Sequence, residues 1–242
     1  MLKAFIKRIA LISGLTLSGC GYVEENPDYH ENKKTYWDEK FTCHQEIQEY
    51  IDSSIKVISN HRIEIQKTIE DTVDPQIQQV PASEVLDLIV SNQVPIICGR
   101  REKTGGVASW GYDGQFIVLN EPYFYPFAID FLRNKYLLDE NSEFDLKKAE
   151  EIMTKFGLED GYHMIGQATT RAGDRLRRSI RILVHEFTHA AWHYNNLDPR
   201  HEKYNRQQDP FYAYDTAANE AYINLLYAWM DEVRSIKDKM SE

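Results

Sequence analysis

The sequence predicts an α+β fold that is mostly helical, with one domain over residues 41–242. Three observations lead there. Apolar residues recur at helical spacing through much of the chain, with Ile47, Ile51, Ile55, Ile58, Ile65 and Ile69 marking one face of a single long segment. Strand-like runs are few and short, the strongest being Phe116-Ile117-Val118-Leu119-Asn120. The stretch from Ile182 to Ala191 has neither proline nor glycine, so His185-Glu186-Phe187-Thr188-His189 reads as part of a helix.

The elements follow in order. Residues 1–19 are a targeting segment: Lys3, Lys7 and Arg8 precede a short apolar run, too short to span a bilayer permanently. Leu17-Ser18-Gly19-Cys20 looks like a bacterial lipobox, which implies cleavage before Cys20 and lipidation of its sulfur. Gly21 in the next position leans towards the outer membrane. Residues 20–40 are polar and turn-rich, a tether between the lipid and the domain. A long helix is expected over 46–72, ended by Pro75, and a second over about 81–90. Val94 to Cys98 is strand-like, Gly105-Gly106 marks a turn, and Trp110 to Tyr123 holds the β-rich run. Helices are expected over 126–138 and 143–156, the second capped by Asn141 or Ser142 and closed by Gly157. Four glycines make 157–173 read as a loop, so Asp174 would cap a helix running to about Tyr194. Asp215 would cap a closing helix.

Charge and cysteine content narrow the function. The chain carries a formal net charge of −10, and removal of residues 1–19, with three positive charges and no negative one, takes it to −13. Such an acidic protein is a poor partner for nucleic acid or an anionic membrane surface, so the lipid on Cys20 is its expected membrane anchor. With Cys20 lipidated in an oxidising compartment, Cys43 and Cys98 remain to pair as a disulfide.

The chemistry centres on His185, Glu186 and His189. On a helix, positions four apart share a face, so His185 and His189 can present two imidazoles to one metal ion. Zinc takes nitrogen and oxygen ligands tetrahedrally and can keep one position for water. Glu186, beside the first ligand, is placed to take that water's proton. The positions after His189 lack the glycine and histidine of the metzincin pattern, Trp192 and Asn195 standing there instead. His193, a turn further along, cannot converge on the same ion. Glu220 is the better third ligand; should it not bind, Asp215 and His201 are next. Five arginines crowd residues 171–181, where an anionic ligand and a solvated helix face are both open readings.

His185-Glu186-Phe187-Thr188-His189 together with Asn219-Glu220-Ala221-Tyr222-Ile223-Asn224 resembles the gluzincin metallopeptidases, over about 182–194 and 215–226. The resemblance implies a zincin-like fold with zinc between two helices, His185, His189 and Glu220 as ligands, and Glu186 as general base. The family's acidic residue that orients the first histidine is replaced here by Asn224, with Asp215 as a further orienting candidate. Tyr212 or Tyr214 would stabilise the oxyanion, from a pool that includes Tyr222 and His201. The expected activity is peptide-bond hydrolysis with one Zn2+ per chain. The expected setting is the bacterial cell envelope, on the outer membrane facing the periplasm. A protein, a peptide or the peptide stem of peptidoglycan would be the substrate. The alternative is a non-catalytic envelope lipoprotein, a binding or assembly factor, with a structural zinc site.

Overall fold

The computed structural model describes residues 39–91, 93–100, 108–111, 116–201 and 208–242. The signal segment, Cys20 and nearly all of the tether lie outside the described residues. Strands are β1 (Glu39–Phe41), β2 (Ile96–Arg100), β3 (Ala108–Gly111) and β4 (Phe116–Asn120). Helices are α1 (Gln45–Asn60), α2 (Arg62–Thr72), α3 (Ala82–Ser91), α4 (Glu121–Asn134), α5 (Leu146–Phe156), α6 (Leu158–Tyr194) and α7 (Pro210–Met240). The architecture is therefore α+β and mostly helical. Among the described residues, no helix is long and apolar enough to cross a membrane.

The strands form one sheet in the order β1-β2-β4-β3. β2 and β4 are parallel, with Ile97 opposite Val118, while β1 and β3 run antiparallel to their neighbours. The run Phe116–Asn120 is thus an inner strand, and the edge belongs to β3, which packs on α6. Inner placement explains its composition: Ile117, Val118 and Leu119 are all fully buried, as a strand covered on both faces requires. Cys43, just after β1, forms a disulfide with Cys98 on β2.

The 37-residue α6 is the axis of the molecule, with α1, α3, α4, α5 and α7 packed around it. It absorbs the segment 157–173 expected to be a loop. Only Gly157, at φ 88°, breaks the chain. Gly161 and Gly173 instead allow close packing: a Cβ on Gly161 would lie 2.6 Å from the Met153 Cα, and one on Gly173 would lie 2.9 Å from the Leu226 side chain. Asp174 caps nothing and pairs with Arg177 at 2.8 Å and Arg178 at 3.7 Å.

Three other boundaries differ from expectation. The helix over 46–72 divides at His61 into α1 and α2. α4 starts at Glu121, because Pro122 fits the first turn of a helix, where its missing N–H costs nothing. α5 is capped by Asp145, whose carboxylate accepts from the Lys147 and Lys148 amides, rather than by Asn141 or Ser142.

The main core joins Ile47, Ile51, Ile58, Ile65 and Ile69 to Leu176, Ile180, Leu183 and Phe187 of α6 and to Tyr214 and Ala218 of α7. A smaller cluster, with Ala149, Met153, Ile165 and Val233, closes the far end.

Candidate metal centre

His185 and His189 lie side by side on α6, buried at 5% and 6% exposure. The third histidine is His201, which follows the turn that ends α6. Nε2 of His189 stands 3.3 Å from Nε2 of His185 and 3.1 Å from Nε2 of His201. In a tetrahedral zinc site with Zn–N of about 2.0–2.1 Å, two nitrogens are separated by roughly 3.3 Å. The three rings therefore already stand at ligand spacing.

The opposite nitrogens explain why. Nδ1 of His189 donates to the Pro199 carbonyl at 2.6 Å. Nδ1 of His201 meets the Asp209 carboxylate at 2.6 Å, and Nδ1 of His185 meets the Asp215 carboxylate at 3.3 Å. A carbonyl oxygen only accepts, so His189 carries a proton on Nδ1, and its neutral ring has the lone pair on Nε2. The carboxylates impose the same tautomer on the other two rings. Three lone pairs turned towards one point repel each other unless a cation sits between them. Carbonyl and carboxylate partners behind ligating histidines are what fixes ring orientation in metal sites. The donor set thus fits a metal, and the three imidazole nitrogens would hold it.

Both carboxylates come from the start of α7. Asp209 is its N-cap, accepting from the Phe211 amide at 3.0 Å, and Pro210 occupies the first turn. Asp215, at 5% exposure, also receives the Arg181 guanidinium at 2.9 Å. Phe211 stacks on His189 with centroids 3.8 Å apart, and the Tyr212 ring stacks on His201 at 5.1 Å and lies 5.0 Å from His185. Glu186 is buried at 3%. It lies three residues before His189, on the adjoining strip of the helix.

The other expected site residues are placed elsewhere. Glu220 is exposed on α7 and does not join the histidines; five residues beyond Asp215, it is turned to another side of the helix. Asn224, a turn later, is exposed as well. Asp215 is the residue behind His185, though it lies inside α7 rather than at its cap. Tyr214 is fully buried and its hydroxyl donates to the Val80 carbonyl, tying α7 to the segment before α3. Burial also holds that phenol well above its ordinary pKa. Tyr222 is buried too, and only Tyr212 of the expected tyrosines flanks the histidines. Asp209 and Phe211 escape the sequence reading, while His201, its fallback for the third ligand, stands where Glu220 was expected. The Asp209-Pro210 pair, an N-cap followed by a first-turn proline, is the signal for the helix start that carries Asp209 and Phe211.

No protein-family model, curated protein or solved structure matches this chain.

Proposed function

We propose that the protein is a zinc-dependent peptide hydrolase, held in the bacterial cell envelope by a lipid on Cys20. The observation that carries this reading is the convergence of three imidazole nitrogens beside the buried Glu186. The buried carboxylate of Glu186 beside the histidines favours catalysis, because a purely structural zinc site has no need of it. A bound zinc supplies Lewis acidity, lowering the pKa of water to about 7 and polarising a carbonyl. Glu186 takes a proton from the attacking water and delivers it to the leaving amine. Asp215, Asp209 and the Pro199 carbonyl keep the imidazoles in the tautomer that binds. Tyr212, flanking His185 and His201, is the phenol best placed to donate to a developing oxyanion. The outer edge of β3, an antiparallel strand packed on α6, suits an extended peptide added by main-chain hydrogen bonds.

Metal content of the soluble domain tests the ligand set. One zinc per chain is expected in the native protein and in Glu220→Ala, and loss of zinc in His189→Ala and His201→Ala. Asp215→Asn should retain the site but bind zinc about 10–100-fold more weakly. Glu186→Gln should keep zinc and abolish hydrolysis across a peptide library. A native domain that takes up no zinc on reconstitution sinks the reading, and zinc bound without any peptidase activity moves it to the non-catalytic lipoprotein.

A further inference from the structure

Four of the five arginines of α6 do not form a solvated face; only Arg171 is exposed. Arg175, Arg177, Arg178 and Arg181 are only 24–29% exposed, covered by neighbouring helices. At 100° per residue, Asp174, Arg178, Arg181, His185 and His189 fall within about 80° of one line along α6. They form the floor of a strip that leads to the metal centre. α4 flanks one side, where the Phe127 ring lies 4.8 Å from the Arg175 guanidinium and 5.3 Å from that of Arg178. α7 flanks the other. It runs antiparallel to α6, since Asp215 meets Arg181 and His185 while Leu226 meets Gly173. Asn219, one turn beyond Asp215 on the same face, therefore stands opposite Arg177 to Arg181.

Polar atoms on this strip and its flank are buried without a hydrogen bond: Nε of Arg178 and Arg181, Nε of Arg177 beside them, and Oδ1 of Asn219 across from them. Buried polar groups are ordinarily satisfied, so a run of four in one place needs a cause. The carboxylates at hand are already committed. Asp130 holds Arg175 at 2.7 Å, Asp215 holds Arg181 at 2.9 Å, and Asp174 pairs closely with Arg177 but stands 3.7 Å from Arg178. Of these four arginines, Arg178 has the longest ion pair.

We propose that this strip is a subsite for a carboxylate of the substrate, with Arg178 as its principal partner. Arg178 precedes His185 by seven residues, about 10 Å along the helix. An extended peptide covers that distance in about three residues. The enzyme would therefore select peptides with a carboxylate about three residues from the bond that is cut. This rests on the peptidase reading, and the carboxylate belongs either to an acidic side chain or to the chain terminus.

The test is equilibrium binding to the zinc-loaded Glu186→Gln protein, which needs no turnover. The probes are short fluorescent peptides of one neutral sequence in which Glu, or Gln as its isostere, is walked along the chain. Each is made with a free and an amidated C-terminus. One Glu position, or the free terminus, should bind about tenfold tighter than its neutral counterpart, as a charge-assisted hydrogen bond allows. Which of the two is preferred identifies the source of the carboxylate. Arg178→Met, which keeps the stem against Phe127, should bring that ratio close to one at unchanged zinc content, and Arg178→Glu should shift preference to Lys peptides. Equal binding of charged and neutral peptides at every position overturns the subsite, as does no binding of any peptide. Native-enzyme turnover of the same peptides separates the two claims. Selective binding without turnover sinks the peptidase reading and leaves the subsite. Turnover without carboxylate preference does the reverse.

Discussion

His61 stands where the apolar stripe of α1 and α2 would otherwise continue as one helix, and it serves as cap for both. Its Nε2 lies 2.9 Å from Glu143, which also accepts from Asn60 at 2.8 Å. The bond to Glu143 raises the His61 pKa above its ordinary 6.5 despite partial burial. Burial alone would raise the Glu143 carboxyl, but the bonds from His61 and Asn60 outweigh it and hold it below 4.5. The His61 contribution is complete below pH 6.5 and is lost as pH rises through its raised folded value. The Glu143 contribution is complete above pH 4.5 and is lost as pH falls through its lowered folded value. The pair is therefore strongest between these limits. Both side chains are partly exposed, which limits the gain to about 1 kcal/mol. Denaturation of native and His61→Ala protein should show the largest difference near pH 5.5 and a smaller one at pH 9; a difference that grows with pH refutes the assignment. At this scale the sequence displays residues whose chemistry is local. His185, Glu186 and His189 share one helix face, and spacing alone reveals them. His201 joins them through the turn after α6 and the fold back to α7, and no periodicity encodes that approach. Glu220 has the right chemistry on the right helix, and only the rotation of that helix excludes it.

At the scale of elements, α6 shows what pattern reading finds and what it misses. Its apolar spacing from Leu176 to Ala191 is plain, and so is the helix there. Its first half is hidden, because glycine in sequence signals a break, while here the backbone of a neighbour occupies the space a side chain would need. The three glycines of that half differ accordingly, and two of them make a prediction. A Cβ on Gly166 would meet nothing within 4 Å, so Gly166→Ala should stabilise the protein by up to about 1 kcal/mol through helix propensity. The same propensity gain applies at Gly161, but there the new Cβ would lie 2.6 Å from the Met153 Cα, and α5 would have to move. Overpacking of that kind costs about 1–3 kcal/mol, enough to cancel or exceed the gain. Urea midpoints at unchanged slope should therefore rise for Gly166→Ala and fall for Gly161→Ala. A rise in both would mean that α5 packs less closely on α6 than the structure has it. The strands obey a similar logic: the composition of Phe116–Asn120 shows a strand, but its central position depends on pairing with β2 and β3, which residues far along the chain determine.

For the whole molecule, the histidines connect parts that the hydrophobic core holds separately. α6 supplies two of them. The third lies beyond the helix end, and its Asp209 partner caps α7. A metal at this point ties the C-terminal part of α6 to the start of α7 through both the third ligand and the Asp215 bridge. The rest of the fold has other supports: the Cys43–Cys98 disulfide at the sheet, and the small cluster of α5, α6 and α7 at the far end. Zinc removal should accordingly weaken one region rather than dissolve the fold. At free metal a hundredfold above the dissociation constant, binding adds about 2.7 kcal/mol to stability. For a chain of this length each kcal/mol shifts the midpoint by about 2–4 °C, so chelation should lower Tm by about 5–10 °C. Hydrogen exchange should resolve where the loss falls. Amides of 195–201 and 208–215 should lose protection in the apo protein, while β2, β4 and the first half of α6 keep theirs. Loss of protection across the whole chain would make the metal a folding nucleus rather than a local clamp, and an unchanged Tm on chelation would show that the three imidazoles hold no metal in the native state.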